Sequence, residues 1–249
     1  MIKVLYEDNH LIVVFKPAGI LVQGDETGDV CLMDEVKKYL KEKYKKPGNV
    51  FLGLLHRLDR PVSGIVLFAK TSKGASRLSE QIRNRTVEKI YHAVVEGSFG
   101  FAQDKNEKGT LVNYLKKDEK KNFVEVFDEP VDEALRAELD YEVVESHCEE
   151  RSDEAIQSPI DTGLPRSLRS LAMTSGATLL RVNLKTGRSH QIRAQLAHIG
   201  HSIVGDVKYG SKTKYKDGEI ALCATELSFE TATTKERKVI SIEYDPKNS

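Results

Sequence analysis

The 249-residue chain has no tryptophan, only three cysteines and no long apolar run. Cys31, Cys148 and Cys223 lie far apart and fit neither a metal-binding spacing nor an even disulfide framework. We therefore expect unpaired thiols in a reducing, cytoplasmic compartment. The longest apolar stretches, residues 11–15 and 65–69, are far too short to cross a bilayer, so no membrane partner is expected.

The chain also lacks an excess of either charge: 38 lysines and arginines balance 38 aspartates and glutamates. A neutral total argues against a generic polyanion binder. Basic residues nevertheless concentrate in residues 37–46, 77–89 and 181–193, and acidic residues in 125–138 and 145–154. This separation predicts a basic face on a neutral protein, although solvated lysine-rich helix surfaces explain the first cluster equally well.

Short strand-like runs dominate the chain, and few helices separate them. Helical spacing of apolar residues predicts helices over 33–45, after Thr71-Ser72, and over 189–199. We therefore predict an α+β fold in one catalytic domain spanning 1–249, with a mixed, largely antiparallel sheet and flanking helices. The predicted strands lie near residues 2–5, 11–15, 51–55, 65–69, 88–96, 110–116, 122–127, 135–145, 178–185, 220–230 and 238–244.

Residues 146–177 interrupt a predicted hairpin between residues 135–145 and 178–184. The segment is rich in serine and shows no sustained hydrophobic period. A loop of this length is usually functional or disordered. We predict a flexible insertion that the fold tolerates. The alternative is an RNA-contacting arm that uses Arg166 and Arg169.

A charged loop between two predicted strands contains the first candidate site. Asp59 lies there among the basic residues His56, Arg57 and Arg60. Neighbouring cations favour the ionised acid, and an ionised aspartate in a partly dry pocket can act as a nucleophile. The alternative is a structural aspartate paired with Arg57 or Arg60, which this short loop alone does not exclude.

A second basic segment runs from Gly187 into the predicted helix 189–199. Helix starts attract anions through unpaired backbone N–H groups and the helix dipole. On such a helix, Ser189 and Arg193 would share one face, where the guanidinium could bind a carboxylate bidentately.

A third segment, the predicted strand 88–96, carries Tyr91. Packing in the sheet is the commoner fate of a strand tyrosine. The functional alternative is a platform on which a nucleic-acid base stacks.

These three segments, in this order, resemble the RluA-type family of pseudouridine synthases. The resemblance also covers the opening stretch 8–19, with its Lys16-Pro17-Ala18-Gly19, and the stretch 200–210. It runs from about Ile2 to the final strands and leaves out residues 146–177. Each piece is modestly specific alone, and together and in order they are highly specific.

The resemblance implies a central, mostly antiparallel sheet with a cleft, and four functional residues. Asp59 matches the catalytic aspartate, Tyr91 the tyrosine that stacks on the target base, and Arg193 the arginine that pairs with the aspartate. Arg57 matches a residue that can occupy the gap left by a flipped base. The remaining predicted substrate-binding residues are His56, Arg60, Arg188, His190 and Gln191.

The chain departs from the family pattern at two places. Val62 stands where the family often has threonine, which the intact Ser63-Gly64 should make tolerable. The small N-terminal RNA-binding module of many relatives is not recognised in the sequence. We therefore expect a monomer whose catalytic domain itself selects a stem-loop of rRNA or tRNA.

The predicted reaction is the isomerisation of uridine to pseudouridine in RNA. It involves no redox step and no net hydrolysis, so neither a cofactor nor a metal is expected. A metal site of His190, His198 and His201 is disfavoured because no carboxylate or thiol ligand accompanies them. Two other functions stay open: a non-catalytic RNA-binding or chaperone protein using the same cleft, and a base-excising glycosylase acting through Asp59.

Overall fold

The computed structural model describes residues 2–25, 28–98, 107–146, 176–216 and 218–242. Within them the chain divides into two compact units. The first unit comprises Met1–Lys89, Asp217–Glu219 and Cys223–Ser241, and the second comprises Ile90–Lys216, Ile220–Leu222 and Ile242–Ser249. Whether these units act as one catalytic domain over 1–249 stays a prediction.

The elements follow one another in an order dominated by strands. They are β1 (Lys3–Glu7), β2 (Leu11–Lys16), α1 (Leu32–Lys43), β3 (Gly53–Leu54), β4 (Ser63–Ala69), α2 (Ser72–Arg83), β5 (Glu88–Glu96), β6 (Lys108–Asp118), β7 (Phe123–Phe127), β8 (Leu135–Ser146), β9 (Ala177–Leu184), α3 (Gln191–His198), a 3-10 turn (Val207–Tyr209), β10 (Leu222–Glu230) and β11 (Arg237–Ser241). The predicted α+β fold is confirmed, and antiparallel pairing prevails in each unit.

The first unit is built on the two apolar strands β2 and β4, which pair antiparallel. Every residue from Leu11 to Val14 is fully buried, because both faces of β2 are covered. The turn into β2 is fixed by Asp8, whose Oδ1 accepts hydrogen bonds from the backbone N–H groups of His10 and Leu11, both at 2.7 Å. On the other side of β4, β10 pairs with it in parallel.

The two helices of the first unit form where the apolar spacing predicts them. Val36 and Leu40 of α1 are buried, and the Thr71 hydroxyl caps α2 by accepting a hydrogen bond from Gly74 N at 3.1 Å. The predicted end of the first helix, residue 45, is two residues too late. Lys45 adopts a left-handed conformation with φ 48°, which ends the helix before Pro47.

An ion cluster on Glu7 attaches the end of α1 to β1. The Glu7 carboxylate accepts hydrogen bonds from Lys43 Nζ at 2.7 Å, Lys70 Nζ at 2.5 Å and Tyr44 Oη at 2.6 Å. Burial raises the pKa of Glu7, but these hydrogen bonds outweigh it and lower the pKa to about 2. The Glu7 carboxylate is therefore ionised in the folded protein at neutral pH.

The second unit contains an antiparallel sheet with the strand order β5-β9-β8-β6-β7. The predicted hairpin between residues 135–145 and 178–184 is confirmed, since β8 and β9 pair from Leu139↔Leu184 to Ser146↔Thr178. Residues 147–175, which make up most of the predicted insertion, lie outside the described residues. No helix in the described part of the chain is long and apolar enough to cross a membrane.

Replacing residues 147–175 by a short Gly-Ser turn should leave stability and activity close to those of the full chain. Ser146 and Thr178 are direct partners across the strands, so a short turn closes the hairpin without stretching it. Urea unfolding and RNA binding measure the two effects. A large loss of RNA affinity in a folded variant would favour the alternative of an RNA-contacting arm.

Candidate active site

The loop that carries Asp59 is held by a lysine with no exposed surface. Lys16, the last residue of β2, is 0% exposed. Its Nζ donates hydrogen bonds to three backbone carbonyls, those of Pro17 at 3.0 Å, Arg60 at 3.2 Å and Val62 at 2.6 Å. One ammonium thus fixes the backbone on the C-terminal side of Asp59, and Val62 N donates to the Asp59 carbonyl at 3.1 Å to close the turn.

The charge of Lys16 is coupled electrostatically to Asp59. Burial lowers the pKa of Lys16 to about 8, and the negative charge of Asp59 opposes this shift. The Asp59 carboxylate therefore lies in the field of a fixed internal cation. Sequence reasoning did not assign Lys16 to the site; the signal available was a lysine that ends an apolar strand directly before proline.

Arg60 joins the Asp59 loop to the opening segment of the first unit. Its Nε donates to the Gly19 carbonyl at 2.9 Å, and Gly19 N donates to the Arg60 carbonyl at 2.8 Å. Its Nη2 also pairs with Asp29 at 2.9 Å, and both of those side chains are about half exposed. A contact between Arg60 and RNA stays a prediction. Arg57, on the other side of Asp59, is exposed, as a residue that reaches into RNA must be.

Gly64 allows the Asp59 loop to enter β4 directly beside β10. A Cβ atom at this position would lie 2.4 Å from the Ala224 carbonyl oxygen, and the φ of Gly64 is +129°. Both the close approach and the dihedral require glycine. The neighbouring Val62 is only 3% exposed, so an apolar side chain suits this position.

His56, at the start of the loop, is bound to β4 by its ring. Its Nε2 accepts a hydrogen bond from Leu67 N at 3.0 Å. Burial, followed by the nearby positive charge of Lys89, lowers the pKa of His56 to about 3. The ring is therefore neutral at physiological pH, and its Nε2 carries no proton.

Arg193 is the central charged residue of the second unit. It is 5% exposed and lies on α3. Its guanidinium binds the carboxylate of Asp206 bidentately, with Nε–Oδ2 at 2.6 Å and Nη2–Oδ1 at 2.9 Å. A guanidinium has five N–H donors, so this pair does not preclude a second carboxylate partner. Asp206 was missed by sequence reasoning because its partner lies on a separate element.

Tyr209 connects Arg193 with His190. The guanidinium of Arg193 lies 5.1 Å from the centre of the Tyr209 ring. The Tyr209 hydroxyl accepts a hydrogen bond from Val124 N at 3.0 Å and is 2.9 Å from His190 Nδ1. The Tyr209 ring thus packs against the guanidinium of Arg193, and Val124 and His190 orient that ring.

The predicted helix 189–199 is wrong at both ends. Helix α3 begins at Gln191, because His190 adopts a left-handed conformation with φ 49°. Ser189 therefore precedes the helix and does not share a helical face with Arg193. The predicted last residue, Ile199, is 36% exposed and follows the last helical residue, His198.

Gln191 closes the loop before α3. Its side-chain oxygen accepts hydrogen bonds from Thr186 Oγ1 at 2.8 Å and Arg188 N at 3.0 Å, and its nitrogen donates to the Glu138 carbonyl at 3.1 Å. The residue is 3% exposed. These hydrogen bonds of Gln191 stabilise the segment that precedes Arg193. A contact between Gln191 and RNA stays a prediction.

Arg188 is exposed at the edge of a cleft of about 350 Å³ in the second unit. Lys116 and Lys117 also line this cleft. Arg188 Nε donates a hydrogen bond to the Arg136 carbonyl at 3.1 Å, which holds the Arg188 side chain along the surface. Lys116 pairs with Glu133, another residue of the cleft, at 2.8 Å, and Lys117 pairs with Glu119 at 2.6 Å. Arg188 is therefore the cation of this cleft best placed for the phosphate backbone of RNA.

Tyr91 lies on β5 opposite Val182 of β9 and is 6% exposed. Both faces of β5 are buried around it, including His92 at 8% exposed. The stacking of Tyr91 on a base stays a prediction.

The three histidines of the disfavoured metal site each lie beside another polar group. His190 Nδ1 is 2.9 Å from Tyr209 Oη, His198 Nε2 is 3.0 Å from Asp128, and His201 Nδ1 donates to the Glu96 carbonyl at 3.0 Å. Within the part of the chain that the structure describes, no group of three histidine, cysteine, aspartate or glutamate residues is placed to bind a metal ion.

Acid should destabilise the protein already below pH 6.5. Burial lowers the pKa of His56 to about 3 and that of His92 to about 4, against an ordinary value of 6.5. Between these values the unfolded chain binds protons that the folded chain does not, so each ring removes up to about 1.4 kcal/mol per pH unit. The low pKa of Glu7 adds a further loss below pH 4.5.

Urea unfolding at pH 7, 6 and 5 measures this effect. The midpoint should fall steadily over this interval, and less steeply in His92→Phe than in wild type. A midpoint that is constant from pH 7 to pH 5 would show that neither ring stays neutral in the folded protein.

The chain is similar to known proteins over most of its length. Residues 10–198 match the RNA pseudouridylate synthase family. The chain is 31% identical over 252 residues to tRNA pseudouridine synthase C of Vibrio cholerae, covering 98% of this chain and 92% of that protein. It is 28% identical over 233 residues to ribosomal large subunit pseudouridine synthase C of Buchnera aphidicola, covering 91% of this chain but only 62% of that protein.

The chain also shares its fold with a solved structure. Human RNA pseudouridylate synthase domain containing 4 superposes with a TM-score of 0.67 at 20% identity, covering 98% of this chain and 89% of that one. The family match and the curated relatives define an enzyme that acts on RNA. The chain belongs to the RNA pseudouridylate synthase family. The predicted family and enzyme class are thereby confirmed, and these matches lend no support to the non-catalytic alternative.

Proposed function

We propose that the protein isomerises specific uridines of rRNA or tRNA to pseudouridine, with Asp59 as the nucleophile. The observation that carries this proposal is the Asp59 loop, held at the Arg60 and Val62 carbonyls by the buried ammonium of Lys16 inside the region that matches the family. A rigid loop with an internal cation is what a carboxylate needs to attack from a defined position.

The reaction requires the target base outside the helical stack. Flipping a nucleotide costs a few kcal/mol, and the exposed Arg57 offsets this cost by filling the vacancy. Asp59 then either attacks the sugar carbon that bears the base or removes a sugar proton to give a glycal. In both routes the glycosidic bond breaks, the uracil rotates, and a carbon–carbon bond forms with loss of the proton from carbon 5. In the first route the ester bond between Asp59 and the sugar breaks as the new bond forms, and in the second route Asp59 returns the proton to the sugar.

Residues of the second unit are proposed to act on the base and on the nucleophile. Tyr91 stacks on the uracil and relays the carbon 5 proton at the end of the reaction. Arg193, with its guanidinium oriented by Asp206 and Tyr209, pairs with Asp59 and orients its carboxylate. Asp206 and Tyr209 are positioning residues in this proposal.

Release of tritium from RNA labelled at carbon 5 of uridine tests the proposed function. The wild-type protein should release tritium from unmodified rRNA or tRNA transcripts and leave the strand intact, without free uracil. RNA binding without release would favour a chaperone, and free uracil would favour a glycosylase.

The RNA class is proposed from the names of the relatives, some of which act on tRNA and others on the large ribosomal subunit. We also propose that the protein works as a monomer in the cytoplasm. Mapping of pseudouridines in cells that lack the protein identifies the modified position, and sedimentation of the purified protein determines its oligomeric state.

A further inference from the structure

Two hydrogen-bond donors of the first unit lie within electrostatic range of each other, and neither has an acceptor among the described residues. The first is His56: because its Nε2 accepts from Leu67 N, the proton of the neutral ring must be on Nδ1. This Nδ1 atom is buried and has no hydrogen-bond partner among the described residues. A buried donor without an acceptor costs about 1–3 kcal/mol, so such groups are rare unless a ligand completes them.

The second donor is the ammonium of Lys89, the second residue of β5. It lies close enough to His56 for its charge to disfavour protonation of that ring. Burial lowers the pKa of Lys89, and no acidic group contributes to the shift. In the described part of the chain, Lys89 forms neither a hydrogen bond nor an ion pair with a carboxylate.

These two groups cannot satisfy each other. The imidazole Nδ1–H and the ammonium are both donors, and Nε2 is already occupied by Leu67 N. No residue in the described ranges supplies the acceptor, so an ordered water or a bound group has this role. A partly buried cation without a counter-charge favours an anion over a neutral carbonyl, and the anions of RNA at neutral pH are its phosphodiesters.

We propose that His56 Nδ1–H and Lys89 Nζ form a subsite that binds one phosphodiester group of the RNA strand carrying the target uridine. The position suits this role, since His56 is three residues before Asp59, and Lys89 lies on the same side of its strand as Tyr91, two residues later. The inference rests on RNA being the substrate. In this proposal Lys89 and His56 both bind the phosphate. The hydrogen bond from Leu67 N of β4 to His56 Nε2 keeps the ring proton on Nδ1.

Small probes test the subsite without knowledge of the natural RNA. Inorganic phosphate and uridine 5′-monophosphate should shift the imidazole signals of His56 in ¹⁵N-detected NMR spectra, whereas uridine should not. Lys89→Gln should weaken binding of the monophosphate about tenfold to a hundredfold, as expected for loss of a charged hydrogen bond. Lys73→Gln, at an exposed lysine of α2, is the matched control and should bind as wild type does.

Salt dependence and stability give two further measurements. For a twelve-residue oligouridylate, the slope of log affinity against log salt should fall by about 0.7 in Lys89→Gln, the value for one phosphate contact on a single strand. In the absence of RNA, Lys89→Met should raise the melting temperature, because an unpaired ammonium is removed from a partly buried position. A purely structural lysine would show the opposite change in stability.

Three outcomes would overturn the proposal. Uridine could shift His56 as strongly as the monophosphate while phosphate has no effect, which would identify a base carbonyl as the acceptor. Lys89→Gln could bind all probes as wild type does. Lys89→Met could also lower the melting temperature. Tritium release by the wild-type protein reports separately on the proposed function, since its failure would leave phosphate binding at His56 measurable.

Discussion

Asp59→Asn is expected to abolish tritium release from uridine-labelled RNA while RNA binding survives. Asparagine has nearly the shape of aspartate but carries no charge, so it can neither attack the sugar nor remove a proton. Removal of a catalytic nucleophile commonly costs about 10⁴-fold to 10⁶-fold in kcat. The loop should keep its shape, since Lys16 binds backbone carbonyls and not the Asp59 side chain.

Asp29→Asn is the matched control for this experiment. Asp29 is a half-exposed carboxylate of the same unit that pairs with Arg60 at 2.9 Å. An exposed pair contributes only about 0–1 kcal/mol, so this variant should retain activity close to wild type. Tritium release by Asp59→Asn within about tenfold of wild type would remove Asp59 from the mechanism.

Arg193→Lys should lower kcat about a hundredfold with a much smaller change in RNA affinity. Lysine keeps the charge but loses the planar fork that holds Asp206 through two hydrogen bonds. Misplacement of a catalytic group by about 1 Å can cost about 100-fold in rate. Single-turnover tritium release gives the rate, and filter binding gives the affinity.

Two comparisons separate this role of Arg193 from a structural one. Arg136→Lys alters an exposed pair with Glu138 in the same unit and should leave both rate and affinity unchanged. Thermal unfolding shows how much of the loss reflects the broken buried pair with Asp206, which would cost about 3–5 kcal/mol if one partner were removed entirely. Equal losses in rate and affinity would show that Arg193 only contacts phosphate.

The parts of the fold that depend on local pattern were predictable. Strands β2 and β4 follow from apolar runs between turn residues, and α2 follows from the Thr71 cap and the spacing of Ala75 and Leu78. The start of α3 was not predictable, because a histidine in the left-handed region has no clear sequence signal.

The candidate site was likewise predictable only in part. Asp59, Tyr91 and Arg193 could be proposed from short segments and their order, but the contacts that orient them could not. Lys16 reaches carbonyls more than forty residues later in the chain, and Arg193 binds Asp206 beyond the end of its own helix. Such pairs depend on how the elements pack against one another, and a single sequence does not show this packing.

The parallel pairing of β4 with β10 also determines when the enzyme can first become active. Ser63 lies beside Cys223, so the strand next to the Asp59 loop is translated long after the loop itself. At about 5–20 residues per second, the ribosome needs roughly 8–30 s to cover this interval. Until β10 has been translated, a nascent chain therefore carries Asp59 beside a sheet that lacks one of its strands, and we expect no modification of RNA before that strand has been made.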